Sequence, residues 1–262
     1  GKYCKRNNKN LPRSMAKISI ITICYNSEKT ISKTLKSLKS QTFKDFEHIV
    51  IDGGSIDKTI SIIKKANISN KVISEKDKGI YDAFNKGIIN STGEIIGFLN
   101  ADDIFNDIDS LEKIVKNFED KIDCVFGDLI YTDKENKVKR IWRGSPFING
   151  SFKKGWMPAH PTFYCKRKIY QKFGVYDDSY QIAGDFELMM RFLEKQNIYS
   201  KYIPVILINM KIGGISNKSL IVRIKILIEE FKAFKQNKIN VNKIFYILMK
   251  AKKLKEFKFF HY

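Results

Sequence analysis

The stretch Ile95-Ile96-Gly97-Phe98-Leu99-Asn100-Ala101-Asp102-Asp103 puts two carboxylates at the end of an apolar run too short for most helices. That is the form of a buried strand delivering acidic groups to the rim of a sheet. Adjacent carboxylates repel, so the pair makes sense around a cation. Hard oxygen ligands favour Mg2+ or Mn2+, which keep coordination positions open for phosphate oxygens. A turn, or a cap on the following helix, is the competing reading. Three other apolar runs also break at polar residues: Ile18–Cys24 at Tyr25-Asn26-Ser27, residues 46–51 at Asp52-Gly53-Gly54-Ser55, and Lys71–Ser74 before Asp77-Lys78-Gly79.

The elements that must position these residues follow from their spacing. Ile31, Leu35 and Leu38 recur at helical spacing after a cap at Asn26 or Ser27. Ile60, Ile63 and Ala66 form a second such set, and Ile80, Ala83, Phe84 and Ile88 a third. Short β-branched runs alternating with these helices predict an α/β fold with a doubly wound parallel sheet. In such sheets the ligand crevice lies at the carboxyl ends of the strands, where every polar break falls. No G-x-G-x-x-G follows the first strand and no Walker lysine motif occurs, so neither common phosphate loop is present. In the second half, 124–131 and 138–143 read as a hairpin and 144–158 as a loop long enough for a lid. Residues 162–165 read as a strand, Phe186, Met189, Met190 and Leu193 as a helix opening at Ala183-Gly184-Asp185, and 202–210 as a strand running into Gly213-Gly214-Ile215-Ser216. From Ser219 onward two amphipathic helices are expected, separated near residues 237–242.

Composition narrows the classes. The 262 residues are 43% hydrophobic and 29% charged, ordinary for a folded soluble chain, but the net charge is +20. Such a charge attracts a polyanion: nucleic acid, an anionic membrane surface or phosphate-rich substrates. It is concentrated at the ends. Residues 1–17 carry six cations and no acid, and residues 218–262 carry twelve against Glu229, Glu230 and Glu256. Cys4, Cys24, Cys124 and Cys165 have no paired spacing, which argues against a disulfide frame or zinc and for a reducing cytosol. No window is apolar enough to span a membrane, and the basic N-terminus lacks the apolar core of a signal peptide.

The polar breaks, taken in order, resemble a known family. Ile20 to Asn26, Ile51-Asp52-Gly53-Gly54-Ser55-Ile56-Asp57-Lys58-Thr59, Asp77 to Gly87, and Gly93-Glu94 to Asp103 are similar to the motifs of family 2 glycosyltransferases of the GT-A fold. His160-Pro161-Thr162, Gly184-Asp185-Phe186-Glu187-Leu188 and Gly213-Gly214-Ile215-Ser216 continue the series, so the resemblance spans roughly 17–216. The nearest branch is the bacterial surface-polysaccharide enzymes. It implies a GT-A domain over 17–216, a mostly parallel sheet flanked by helices, between a basic flexible segment (1–16) and a basic amphipathic helical tail (217–262).

The implied activity is metal-dependent, inverting transfer of a sugar from a nucleotide-sugar, UDP-sugar first, to a glycan or polyprenyl-linked acceptor. The family's acidic triplet falls on Asn100-Ala101-Asp102, with Asn100 replacing the usual first carboxylate. Mn2+ or Mg2+ is therefore assigned chiefly to Asp102, with Asp103 a second ligand or an orienting group. Asp52 is placed against the N3–H of the base, with Gly53 admitting the ligand and Ile23 and Tyr25 flanking it. Asp77, Lys78, Gly79, Asp82, Asn85, Asn100 and Ala101 complete the nucleotide-sugar set, and Asp185 is the catalytic base. His160, Trp156 and Ser216 are assigned to the acceptor or the diphosphate. A polyprenyl-linked acceptor requires membrane proximity, so a peripheral position on the cytoplasmic face is expected, with the basic tail on anionic lipid or packed on the domain. Nucleic acid is not expected as a partner, because acids and not bases line the strand ends. A nucleotidyltransferase using the same metal site is the alternative, and there Asp185 would have no obvious task.

Overall fold

A computed structural model describes residues 17–212 and 220–256. β1 (Ile18–Cys24) is a β-branched run with only Ile23 half-exposed, as suits the middle of a sheet covered on both faces. β2 (Phe46–Asp52), β3 (Lys71–Ser74) and β4 (Ile95–Phe98) lie parallel with it in the order β3-β2-β1-β4. The register sets Cys24 beside Asp52, Asp52 beside Ser74 and Ile21 beside Phe98. The segments following all four strands thus emerge at one edge. The crossovers run through α1 (Ile31–Lys39), α2 (Thr59–Ala66) and α3 (Ile80–Ile89). Alternate strand residues face opposite cores: Ile21, Ile49 and Ile51 pack with α3, while Val50 packs with Ile31, Leu35 and Ile63.

Beyond β4 the sheet becomes mixed. β6 (Cys124–Thr132) and β7 (Val138–Trp142) form the expected hairpin, and the chain then returns through a long loop without a crossover helix. β8 (Tyr164–Lys166) therefore lies antiparallel to both β4 and β6, while β9 (Ser200–Lys211) runs parallel to β6. The short β5 (Ile104–Phe105) pairs with β9. This reversal matters for the site, because it brings the turn His160–Thr162, just before β8, to the edge where β1, β2 and β4 end.

α4 (Ser110–Lys116) starts well after Asp103, so neither Asp102 nor Asp103 caps it. The first helix also begins later than expected: Thr30 precedes it, and Asn26 instead adopts φ 46° and braces the next rim loop. Its side-chain oxygen accepts from the Ile56 N–H at 3.0 Å, and its own N–H donates to Ser55 Oγ at 2.8 Å.

The loop expected as a lid is fastened. The Gly144 N–H donates to Asp128 at 2.7 Å and the Gly150 N–H to Glu194 at 2.6 Å, while Phe152 is fully buried against Phe147, Trp156 and Phe186. α5 (Arg167–Phe173) and α6 (Gly184–Met190), the latter extended by a π-helical turn to Lys195, cover the α3 face. α7 (Leu220–Gln236) packs on α6, and α8 (Lys243–Glu256) on the turn Phe152–Lys154. Phe234 and Tyr246 are buried between them with ring centroids 5.2 Å apart, and Lys250 pairs with the buried Glu230. The helical tail is thus part of the folded core, and one of its faces is not free. Cys24, Cys124 and Cys165 are buried free thiols.

Candidate active site

The carboxyl edge carries two groups of side chains. The first lies over β1–β3. Tyr25, directly after β1, is 62% exposed, and a Cβ placed on Gly53 would come within 3.4 Å of its ring and 3.0 Å of Asp77 Oδ2. Gly53 therefore lets the exposed Tyr25 ring and the Asp77 carboxylate pack close against its backbone at the rim. Asp52, at the end of β2, is fully buried. Its oxygens accept from the N–H groups of Gly54 (3.2 Å) and Ser55 (2.9 Å), the hydroxyls of Ser55 and Ser74, and more weakly the Cys24 thiol. Burial alone would raise its pKa, but these donors from Ser55, Ser74 and Cys24 outweigh it and hold the carboxyl below the usual range. Asp52, expected to contact the nucleobase, thus also organises the rim loop through these donors.

Lys86, which sequence reasoning missed, gathers the acids of the third rim loop. Its ammonium lies 2.7 Å from Asp77, 2.9 Å from Glu75 and 3.2 Å from Asp82, and these contacts, Asp77 first, push its pKa up. The Asp82–Lys86 spacing of four on a helix was the available signal. Asp82 also accepts from the Lys78 N–H at 3.0 Å, which leaves the Lys78 side chain exposed at the edge beside Gly79. Asn85 is corrected as a ribose contact. Its amide donates to the Tyr176 carbonyl and accepts from the Tyr176 N–H, both at 2.9 Å, so it ties α3 to the chain before α6.

The second group lies over β4, β8 and α6. Asp102 is exposed while its neighbour Asp103 is fully buried, with both carboxylate oxygens unpartnered. Burial first, and then the Asp102 charge, push the Asp103 carboxyl well above the usual range against the opposing amide of Asn100. Asp103 thus faces inward, and Asp102 is the member of the pair that is open at the surface. Asn100 Oδ1 is likewise buried and unpartnered, and Ala101 packs against the α1–α2 core. Ile23 is half-buried in β1, beside the Asp52 loop.

His160 and Asp185 come together from β8 and α6, with Nδ1 3.5 Å from Oδ2 and both side chains partly exposed. Burial lowers the His160 pKa while the Asp185 and Asp102 carboxylates pull the other way, so the ring sits within the field of both acids. The N-cap of α6 is Ala183, whose side chain has no polar group, and the partner of the Asp185 carboxylate is His160. The Gly184 N–H donates instead to the Tyr81 hydroxyl at 2.8 Å, and a Cβ on Gly184 would stand 2.7 Å from that ring, so only glycine admits this approach. Trp156 is corrected as a sugar-stacking group: its indole N–H donates to Ser145 Oγ at 2.9 Å, and its ring packs on Phe126, Phe147 and Phe152. Ser216 and the adjoining Gly213-Gly214 lie outside the described residues.

Among the described residues no three His, Cys, Asp or Glu side chains gather closely enough to enclose a metal. What β4 offers is the single open carboxylate of Asp102 beside the orphaned oxygen of Asn100. Those hard oxygens fit Mg2+ or Mn2+ held by few protein ligands and otherwise by diphosphate oxygens.

Comparison with known proteins decides the family. A model of the glycosyl transferase family 2 matches residues 19–184. The chain belongs to glycosyl transferase family 2. A PGL/p-HBAD biosynthesis glycosyltransferase of Mycobacterium bovis is 28% identical over 206 residues, 76% of this chain and 78% of that protein. An uncharacterized glycosyltransferase of Mycobacterium tuberculosis is 30% identical over 179 residues, 66% of this chain and 68% of its own. Among solved structures, Staphylococcus aureus TarS 1-349 in complex with UDP superposes with a TM-score of 0.64 at 18% identity, covering 86% of this glycosyltransferase and 66% of that chain. The mannosyltransferase PcManGT of Pyrobaculum calidifontis, in complex with GDP-Man and Mn2+, gives 0.63 at 16% identity, covering 92% and 70%. At these identities the two structures show the shared fold, which is GT-A.

Proposed function

We propose that this family 2 glycosyltransferase transfers one sugar, with inversion, from a UDP-sugar to a hydroxyl of a glycan or lipid-linked acceptor in surface-polysaccharide synthesis. The observation that carries this reading is the convergence of Asp102, His160 and Asp185 at the carboxyl edge, with the Asp185 carboxylate set beside His160. Asp185 takes the acceptor hydroxyl proton as that oxygen bonds to the anomeric carbon. The bond from that carbon to the diphosphate breaks with its electron pair leaving on the nucleoside diphosphate. His160, with Nδ1 3.5 Å from Oδ2, orients the carboxylate. The base of the donor stacks on the exposed ring of Tyr25, with Lys78 near the phosphates. Asp102, with Asn100, would hold Mn2+ or Mg2+, and such a cation neutralises charge on the departing diphosphate. The PcManGT and TarS complexes support a nucleotide-sugar donor, because their fold is this one. Residues 17–216 act as the catalytic domain, with the segment from 217 onward as its helical extension.

Thermal unfolding with UDP-, dTDP- and GDP-sugars, each with and without Mn2+, tests the donor. A UDP-sugar at roughly 100 times its Kd stabilises by about 2.7 kcal/mol, and the shift is larger with Mn2+ than without it. A larger shift with a GDP-sugar overturns the UDP assignment.

The partner surface is read from the tail. No described helix is long and apolar enough to cross a membrane. Opposite their packed faces, however, α7 exposes Ile221 (68%), Ile224 (51%) and Ile228 (61%), and α8 exposes Ile244 (74%), Phe245 (45%) and Leu248 (62%), all among lysines. Apolar side chains flanked by cations suit the interface of an anionic bilayer. Because the tail's other face belongs to the core, the test is substitution and not deletion. Ile224→Glu with Leu248→Glu weakens co-sedimentation with phosphatidylglycerol vesicles by about tenfold or more. Unchanged binding removes the membrane from this reading. No helix boundary or buried contact is altered by the pair, so melting temperature is retained.

A further inference from the structure

The four backbone donors that lead into Asp185 are taken by side chains from distant elements. Glu229, in the third turn of α7, accepts from the N–H groups of Gln181 at 2.9 Å, Ile182 at 2.9 Å and Ala183 at 2.7 Å. The next donor, Gly184, is held by Tyr81. A helix start is ordinarily capped by the residue just before it. Here α6 has no side-chain cap of its own, and the caps come from α3 and from the tail. A carboxylate accepting three N–H groups makes charge-assisted bonds, roughly twice as strong as neutral ones. The same face of α7 continues the clamp. Lys232 donates to Ser179 Oγ at 2.7 Å, Gln236 accepts from the Tyr180 hydroxyl, and Asn237, directly after the helix, donates to Glu187 at 3.0 Å. Glu187 in turn pairs with Arg191 at 2.9 Å. The segment from Ser179 to Glu187 is thus stitched along α7, and Asp185 lies inside it.

We propose that Glu229 is a positioning residue for Asp185, so that the C-terminal helix completes the active site instead of merely adjoining it. Glu229 touches no reacting atom. It fixes the backbone from which the Asp185 carboxylate reaches the acceptor hydroxyl, and misplacement there by about 1 Å can cost on the order of 100-fold in rate. This inference rests on the reading of Asp185 as the catalytic base.

The test compares Glu229→Ala, Glu229→Gln, Asp185→Asn and the double variant Glu229→Ala/Asp185→Asn in the full chain. The measurements are kcat, donor Kd and melting temperature. Glu229→Ala lowers kcat on the order of 10- to 100-fold, with donor Kd unchanged, because Tyr25, Gly53 and Lys78 are on other elements. Glu229→Gln retains one carbonyl acceptor and falls between wild type and Ala; it also serves if the Ala variant fails to fold. In the Asp185→Asn background, Glu229→Ala produces no further loss, since there is no base left to place. An equal loss in both backgrounds, or wild-type kcat in a folded Glu229→Ala enzyme, overturns the proposal while leaving the base assignment intact. Full turnover in Asp185→Asn overturns the base assignment itself.

Discussion

An Asp185→Asn enzyme binds donor as wild type does and loses turnover by about 100- to 10,000-fold, the range typical of a removed general base. The substitution is nearly isosteric, and the Asp185 carboxylate contacts the His160 ring, so the fold is retained. The loop before it stays fastened by Glu229 and Tyr81. What disappears is the proton acceptor beside His160 at the carboxyl edge. Steady-state transfer from the donor identified by thermal unfolding, together with calorimetric UDP binding, separates the two effects. Wild-type turnover would take Asp185 out of the mechanism. Lost UDP binding would instead make it part of the donor site.

The second large effect is expected at Asp102. Asp102→Ala abolishes the increment in UDP affinity that Mn2+ supplies, because Asp102 is the open carboxylate at the end of β4. Binding of the base at the exposed Tyr25 ring persists, so the residual, metal-independent affinity serves as the internal reference. Asp103→Asn is the control. That carboxyl is fully buried, and burial with the neighbouring Asp102 charge pushes its pKa up, so an amide of the same shape leaves the open Asp102 in place and the Mn2+ increment survives. Calorimetric titration of UDP with and without Mn2+ reads all three proteins. A Mn2+ increment retained in Asp102→Ala, or lost only in Asp103→Asn, reverses the assignment of the two acids. The structure favours the stated order for a simple reason: two charges on adjacent residues cannot both be buried, and only one of them faces the crevice.

The amino-acid sequence by itself determined the alternation of strands and helices, the edge at which the site lies, and the family. Ile18–Cys24 and Lys71–Ser74 fall where their apolar and β-branched runs predict, and the two tail helices separate in the expected region. These features are local, because the periods of strands and helices, and the polar breaks between them, are written in consecutive residues. The switch from parallel to mixed sheet was less legible, since it depends on a loop returning without a crossover helix.

Only the tertiary structure decided which of the polar residues are open to chemistry. Asp102 and Asp103 are indistinguishable in sequence and opposite in accessibility. Asp52 and Asn85 have the right chemistry for a ligand, but Ser55, Ser74 and Tyr176 already engage their polar atoms. Lys86 and Glu229 carry no motif, yet one gathers three acids of the donor rim and the other fixes the chain before Asp185. Ionisation and hydrogen-bond capacity are set by what packs against a group. For Asp185 and Glu229 those neighbours lie far apart in the chain, so no spacing rule could pair them.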